Sequence, residues 1–112
     1  MRRIYHLVPA SKWKGIGSGA YQPESLATEG FIHCSNEDQV APVANRFYAN
    51  DAELLVLCID TSRLAHPVRD EEVPTGERYP HIYGPIEREA MIAVLPLERD
   101  ADGRWLFRPP SV

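Results

Sequence analysis

One apolar run restricts the folds open to this 112-residue sequence. Residues 54–59 read Leu-Leu-Val-Leu-Cys-Ile, with no polar interruption. Six residues suit a strand and are too few for a typical buried helix, and an uninterrupted apolar strand is usually covered on both faces. We therefore expect this segment to be the central strand of a sheet, buried on both faces and anchoring the core.

The order of the remaining segments indicates an α+β fold. The expected strands are residues 3–8, 31–35, 54–59, two short edge strands within 68–79, a second buried strand at 91–95 and, after a hairpin turn at 100–103, a last strand at 104–107. The expected helical segments are a short helix around Trp13, a turn over 24–29 that ends at Gly30, a longer helix from Asn36 and a turn over 86–90. Because helices alternate with strands only in the first half, we predict one domain over residues 1–112 with a split, mostly antiparallel sheet and a few short helices.

The longer helix has a recognisable start signal. Ser35 is followed three positions later by Asp38, an arrangement typical of a capping box, which predicts a helix from Asn36. Pro42 falls inside the helix and predicts a kink or a restart. The apolar residues of this segment recur with helical spacing, which predicts one buried stripe along the helix. They are Val40, Val43, Ala44, Phe47 and Tyr48.

Two further segments are expected to be loops. The glycine-rich stretch 15–19 lacks both the GxGxxG spacing and the lysine of a phosphate-binding loop, so it does not indicate a nucleotide motif. His66 precedes Pro67, which favours extended or turned backbone and predicts an exposed histidine.

The charge balance argues against one class of function. The formal net charge is −4 and there is no dense run of lysine or arginine, unlike proteins that bind nucleic acid by neutralising phosphates. Nucleic acid is therefore expected only as a substrate to be modified. The basic residues Arg2, Arg3, Lys12 and Lys14 are candidates for a local anion patch, the alternative being an ordinary solvated surface.

The sequence favours a cytoplasmic location and no membrane partner. No apolar run approaches 18 residues, and no signal-peptide core follows the first three residues. Cys34 and Cys58 lie in apolar stretches without CxxC spacing, so we expect both to be buried and reduced. The alternative for Cys34 is a nucleophile activated by the neighbouring His33. The oligomeric state stays open.

Three of the four histidines lie in strand-like segments, at His6, His33 and His81. Imidazole ionises near neutral pH and is seldom placed on a core strand without a partner or a function. If these strands are neighbours, the histidines line one cleft. A zinc site of three imidazoles is the alternative, although no pair of them has a local ligand spacing.

The second of these segments combines several polar groups. By the period of two in a strand, Phe31, His33 and Ser35 share a face, while Cys34 points the opposite way. The amides that follow Ser35 at the start of the helix add a place where an anion can bind. We therefore expect this face to receive a phosphate.

Four motifs carry a resemblance to a known family. They are Ile4-Tyr5-His6, Gly30-Phe31-Ile32-His33-Cys34-Ser35, Val43-Ala44-Asn45-Arg46-Phe47-Tyr48 and Pro80-His81-Ile82-Tyr83-Gly84-Pro85. Over about residues 3–98 the chain resembles an uncharacterised bacterial family known as domain of unknown function 952. This resemblance implies the split-sheet α+β fold of ADP-ribosyltransferases.

The resemblance also implies positions for functional residues. In those transferases a first-strand histidine holds the NAD ribose, a second-strand aromatic residue stacks on nicotinamide, and a glutamate on a later strand stabilises the transition state. His6 resembles the first-strand histidine, and His33 stands where the stacking residue is expected. The position of the glutamate falls near His81 and Tyr83. The sequence departs from the family pattern there because it has no glutamate. Transferases that remove an RNA 2′-phosphate with NAD also lack this glutamate and use basic and polar groups.

The implied function is transfer of a glycosyl or phosphoryl group from NAD, as co-substrate, or from another phosphorylated nucleotide. His6 would position the ribose, His33 would face the base or the reacting centre, and Tyr83 would act as a general acid or base. Substrate binding is assigned to Phe31, Ser35, Arg46 and His81. Of these, Ser35 and Arg46 would contact phosphate. The alternatives are a module that binds a small ligand or a protein without chemistry, favoured by the missing glutamate, and a zinc-dependent enzyme.

Overall fold

A computed structural model of the chain describes residues 1–13 and 19–111. The helices are α1 (Ala10–Trp13), α2 (Glu24–Glu29) and α3 (Val40–Phe47). The strands are β1 (Arg3–Pro9), β2 (Ile32–His33), β3 (Leu54–Asp60), β4 (Val68–Glu72), β5 (Arg78–Ile82), β6 (Met91–Pro96), β7 (Glu98–Arg99) and β8 (Trp105–Leu106). Lys14 and the predicted loop at residues 15–18 lie outside the described part. Within the described ranges, no helix is long and apolar enough to cross a membrane.

The apolar run forms the centre of the first sheet, as predicted. This sheet has the order β1-β3-β6, and β3 pairs antiparallel with both neighbours. Alternate side chains of β3 pack into two different clusters: Leu57 and Ile59 into one, Val56 and Cys58 into the other. Burial on both faces therefore explains why the run contains no polar residue.

The second sheet has the order β2-β5-β4 and is also antiparallel. His33 on β2 lies opposite His81 on β5, and His81 lies opposite Arg69 on β4. Because side chains in register share a face, this row brings two of the strand histidines together.

A short stretch of chain joins the two sheets, and we call residues 32–35 the crossing segment. Its first half is β2, which pairs with β5, and the Cys34 amide still donates to the Pro80 carbonyl at 3.0 Å. One residue later, Ser35 forms a bridge with Tyr5 of β1: the Ser35 amide donates to the Tyr5 carbonyl at 2.7 Å and the Tyr5 amide donates back at 2.9 Å. The predicted strand at 31–35 is thus divided between both sheets, which is the physical basis of the split.

The helix after the crossing segment begins one residue later than predicted. Its capping box is formed by Asn36 and Gln39, not by Ser35 and Asp38, and the Asn36 amide donates to the Gln39 side chain at 2.9 Å. A 3₁₀ turn over Glu37–Gln39 then leads into α3. Pro42 lies in the first turn of α3, where a missing amide costs no helical hydrogen bond, so the helix continues through it.

Three predictions about the second half of the chain need correction. β6, expected to be a second buried strand, is an edge strand, and its Val94 is 39% exposed. β5, expected to be an edge strand, is the central strand of its sheet. His66, expected to be exposed, is partly buried and lies so close to Gly84 that a Cβ atom there would come within 2.1 Å of the imidazole Cγ.

The predicted hairpin turn at 100–103 is confirmed, but it joins β8 to the short strand β7 and not to β6. The hairpin docks onto α3 through one side chain. Asn45 accepts a hydrogen bond from the Trp105 amide at 2.7 Å and donates to the Trp105 carbonyl at 3.1 Å. The Trp105 side chain is buried, and its indole nitrogen donates to the Tyr48 carbonyl at 2.8 Å.

Replacing Asn45 by alanine is expected to lower the free energy of unfolding by about 1–2 kcal/mol, because it removes two hydrogen bonds to buried backbone. Urea denaturation followed by tryptophan fluorescence measures the change. Asn50→Ala, an exposed position with no side-chain hydrogen bond in the described structure, is the control and is expected to stay within about 0.5 kcal/mol of the parent protein. Equal losses in both variants would contradict the docking role of Asn45.

Candidate functional site

A cleft of about 1010 Å³ lies where the two sheets meet. Its walls come from β1, α2, the crossing segment, the C-terminal end of α3 and the turn between β4 and β5. Five of the seven side chains predicted for a site line this cleft: His6, His33, Ser35, Arg46 and His81. Phe31 and Tyr83 are not among the lining residues.

His6 is buried and fully hydrogen-bonded. Its Nδ1 lies 2.6 Å from the His33 carbonyl oxygen, and its Nε2 lies 3.1 Å from the Tyr21 hydroxyl. Because a carbonyl only accepts, Nδ1 carries the proton, and Nε2 accepts from Tyr21. Burial lowers the pKa of His6 to about 4, so the ring is neutral at pH 7. His6 therefore joins β1 to the crossing segment and holds Tyr21 at the wall of the cleft.

Tyr21 is a cleft residue that the sequence did not single out. Its side chain is buried, lines the cleft and packs edge-on against Trp13, with ring centroids 5.5 Å apart. Burial raises its pKa to about 12, so its hydroxyl remains a donor to His6. Tyr21 lies outside the regular strands, and no periodic pattern marks it. An isolated bridge to Ile86, the hydrogen bond with His6 and the contact with Trp13 fix its position.

His33 is the exposed histidine of the group. Its Nε2 lies 3.0 Å from a carboxylate oxygen of Glu29, and both side chains are about half exposed. Both residues also line the cleft. Glu29 was not predicted, although it lies four residues before His33 at the end of α2, so this local spacing was a usable signal.

His81 is buried within a ring of aromatic and acidic groups. Phe31 stacks on it with a centroid distance of 4.2 Å and an interplanar angle of 22°, and the His33 ring meets it edge-on at 5.4 Å. Its Nδ1 lies 2.8 Å from a carboxylate oxygen of Glu71 on the neighbouring strand β4. Phe31 thus supports His81 and does not line the cleft.

Tyr83 lies beside His81 and is not among the residues that line the cleft. Its hydroxyl donates to the same Glu71 oxygen that His81 contacts, and this hydrogen bond raises the Tyr83 pKa. The Arg69 guanidinium lies over the Tyr83 ring, 4.9 Å from the centroid. In this arrangement Tyr83 supports Glu71 beside the cleft, and its expected role as a general acid or base stays a prediction.

Ser35 and Arg46 bring polar groups to the cleft wall. Ser35 is buried, and its hydroxyl makes no hydrogen bond with any residue in the described ranges. Arg46 extends from α3 with a side chain 56% exposed and a weak ion pair to Glu77 at 3.8 Å. Lys12 of α1 lines the same cleft. An anionic ligand would thus meet two cations and a hydroxyl group.

The arrangement contradicts the two remaining alternatives for the histidine segments. Burial raises the pKa of the Cys34 thiol well above its ordinary value, so Cys34 is a core residue and not an activated nucleophile. Throughout residues 1–13 and 19–111, no group of three or more His, Cys, Asp or Glu side chains could hold a metal ion. The zinc site is excluded for these residues, since Tyr21 and the His33 carbonyl engage both nitrogens of His6.

Comparisons with known proteins identify relatives of the chain. A family model described as "Protein of unknown function (DUF952)" matches residues 7–94. The crystal structure of protein CC0527 from Caulobacter crescentus is similar at 25% identity and a TM-score of 0.80, covering 93% of each chain. The solution NMR structure of CC0527 is similar at 24% identity and a TM-score of 0.74, covering 93% of this chain and 91% of that one. No curated protein matches the sequence.

Proposed function

The chain belongs to the protein family of unknown function DUF952, and we propose that its central cleft binds a phosphorylated nucleotide, with NAD as first candidate. We further propose that the protein transfers a glycosyl or phosphoryl group from this nucleotide. A cytoplasmic location, where NAD and nucleotides are abundant, suits the two free cysteines.

One observation carries the proposal: polar side chains from separate segments converge on one large cleft. His6, His33 and His81 come from three strands, and Arg46 adds a cation from a helix. Polar groups that converge on one concave cleft are the usual mark of a ligand site.

The size and lining of the cleft favour a nucleotide over a smaller metabolite. A volume of about 1010 Å³ is at the upper end of the range for small-molecule sites. Apolar and aromatic walls, including Val43, Phe47 and Tyr48, suit a base and a ribose. Lys12 and Arg46 suit the phosphates, since guanidinium and ammonium groups are the usual phosphate partners.

The unengaged Ser35 hydroxyl and the neutral His6 favour recognition of sugar and phosphate oxygens. Ser35 can donate to a phosphate oxygen without losing an existing hydrogen bond. His6 holds Tyr21 and the His33 carbonyl in place, so its contribution is to shape the wall rather than to exchange protons. We therefore assign His6 a positioning role next to the ribose.

Replacing Arg46 by glutamine is expected to weaken binding of NAD and ADP-ribose about tenfold, because it removes a cation from the cleft. Isothermal titration calorimetry at low and moderate salt measures the change, and the difference is expected to shrink as salt rises. Arg63→Gln is the matched control: its side chain is 58% exposed and pairs with one carboxylate at 3.5 Å, outside the cleft.

Two results would contradict the proposal. One is the absence of binding by NAD, ADP-ribose and AMP in both calorimetry and thermal-shift measurements, since a ligand at 100 times its Kd adds about 2.7 kcal/mol of stability. The other is an equal loss of affinity in Arg46→Gln and Arg63→Gln, which would place the ligand elsewhere.

A second candidate function is ligand binding without chemistry on the same fold. The carboxylates among the described lining residues are Glu24 and Glu29, both exposed on α2, so neither is a desolvated group able to stabilise a cationic transition state. Release of nicotinamide during prolonged incubation with NAD separates the candidates, because binding alone leaves NAD intact.

A further inference from the structure

The ring of His81 is held in one orientation from three sides. Phe31 stacks on one face, His33 meets it edge-on, and Glu71 fixes Nδ1 at 2.8 Å. Only 7% of the side chain is exposed, yet the residue lines the cleft. A buried ring with so little freedom is suited to present one nitrogen to a ligand.

Glu71 determines which nitrogen that is. The Tyr83 hydroxyl and the His81 Nδ1 both meet the same Glu71 oxygen, and these hydrogen bonds hold the pKa of the carboxyl below its ordinary value. An ionised carboxylate only accepts, so the Nδ1 of His81 donates the proton. In the neutral ring the lone pair is then on Nε2, which has no hydrogen-bond partner in the described structure.

The other histidines of the chain lack this combination. Both nitrogens of His6 are engaged within the protein. His33 is about half exposed and its Nε2 is paired with an exposed carboxylate. His66 does not line the cleft. Among the described histidines, only His81 combines a carboxylate contact at Nδ1, a ring plane fixed by stacking and a nitrogen without a hydrogen-bond partner in the described structure.

We propose that His81 is the proton-transfer residue of the cleft and that Glu71, which no sequence pattern marked, is its positioning residue. The inference rests on the proposed function in assuming that a nucleotide reacts in this cleft. Nε2 takes the proton of an attacking water or alcohol as its oxygen bonds to the electrophilic atom of the substrate. The leaving group departs with the bonding electron pair, and the imidazolium returns the proton to it or to solvent.

Nitrogen-15 NMR of histidine-labelled protein tests the orientation without any ligand. Wild type is expected to show His81 with its proton on Nδ1 and a bare Nε2, the resonances being assigned by their loss in His81→Gln. Glu71→Gln is expected to populate the opposite tautomer, since an amide can donate to Nδ1. Glu72→Gln, an exposed neighbour on the same strand with its side chain on the opposite face, is the control and keeps the wild-type tautomer.

Turnover tests the proton transfer, with NAD as the probe and nicotinamide as the product. His81→Gln and Glu71→Gln are each expected to lower the rate at least 100-fold with little change in the Kd for NAD. The double variant is expected to be no slower than His81→Gln, because the two residues act as one unit. Glu72→Gln is expected to react at the wild-type rate.

The outcomes separate the inference from the proposed function. A wild-type His81 with its proton on Nε2, or turnover unaffected in both variants, overturns the inference even if NAD binds. A failure of NAD to bind overturns the proposed function, and the NMR result then decides the orienting role of Glu71 independently. The charged and titratable groups around His81 that bear on its tautomer are Glu71, Arg69 and Asp70 on β4, His33 on β2, Tyr79 on β5 and Tyr83, which follows β5.

Discussion

Acidification from pH 7 to pH 4 is expected to lower the free energy of unfolding by about 3 kcal/mol through His6 alone. The pKa of this buried imidazole is lowered from 6.5 to about 4 in the folded protein. Between these values the unfolded chain binds a proton that the folded protein does not, so stability falls as the pH falls through this window. Each pKa unit corresponds to about 1.4 kcal/mol, which gives the expected size.

Urea denaturation at pH 7, 6, 5 and 4 measures this effect against His6→Gln. Glutamine can donate to the His33 carbonyl and accept from Tyr21, but it does not ionise, so the variant is expected to lose about 3 kcal/mol less over the same range. Carboxylates that titrate in acid contribute equally to both proteins and cancel in the comparison. Parallel stability curves for the two proteins would show that His6 is not the responsible group.

Replacing Gly84 by alanine is expected to lower the free energy of unfolding by about 3 kcal/mol. The added Cβ would lie 2.1 Å from Cγ and 2.4 Å from Cδ2 of His66. These atoms belong to the rigid ring, close to its attachment, so His66 must move as a whole and leave its place beside Glu87. Overpacking of this kind usually costs 1–3 kcal/mol, and a contact this short places the cost at the upper end.

A double variant identifies the cause of this loss. Gly84→Ala combined with His66→Ala is expected to recover most of the stability, because the obstructing ring is gone, and the coupling appears in a double-mutant cycle. Gly19→Ala, which adds a Cβ with no atom within 4 Å, is the control and is expected to be nearly neutral. If removing His66 restores nothing, the strain lies in the backbone at Gly84 rather than in the contact.

The sequence was most informative where burial dictates residue type. The run at 54–59 predicted a strand covered on both faces, and β3 is that strand, because both its faces pack against apolar clusters. The hairpin turn at 100–103 and the glycine at the end of α2 were predictable for a local reason. Gly30 adopts φ of 86°, a conformation that disfavours other residues.

Properties that depend on strand order could not be predicted locally. The alternation in β6 is weak, so its edge position follows only from the sheet order. Likewise, β5 is rich in polar residues but is a central strand. Two of these residues, Tyr79 and His81, line the cleft. The same limit applies to the site: Glu71 reaches His81 only diagonally across the register of β4 on β5, in which Glu71 lies opposite Tyr79 and His81 lies opposite Arg69.

The histidine segments show the same division between local and long-range information. His33 and His81 were expected to meet if their strands were neighbours, and their rings are 5.4 Å apart. That His6 would be locked by two hydrogen bonds was not predictable, since Tyr21 comes from an irregular segment. Local sequence patterns thus indicated the histidines. The fold determined that, within the described residues, both nitrogens of His6 are hydrogen-bonded and that only Nδ1 of His81 is.

The crossing segment also sets the direction from which a ligand reaches the cleft. At this corner the two walls are tied by the paired hydrogen bonds between Tyr5 and Ser35 and by the bond from Cys34 to Pro80. These hydrogen bonds fix the two walls of the cleft to each other at the crossing segment, so this corner is closed by backbone contacts. Phe47, which is 66% exposed, and Pro74 lie among the exposed residues of the lining. A ligand that enters the cleft would meet the exposed Phe47, Pro74 and His33 before it reaches the buried His6 and His81.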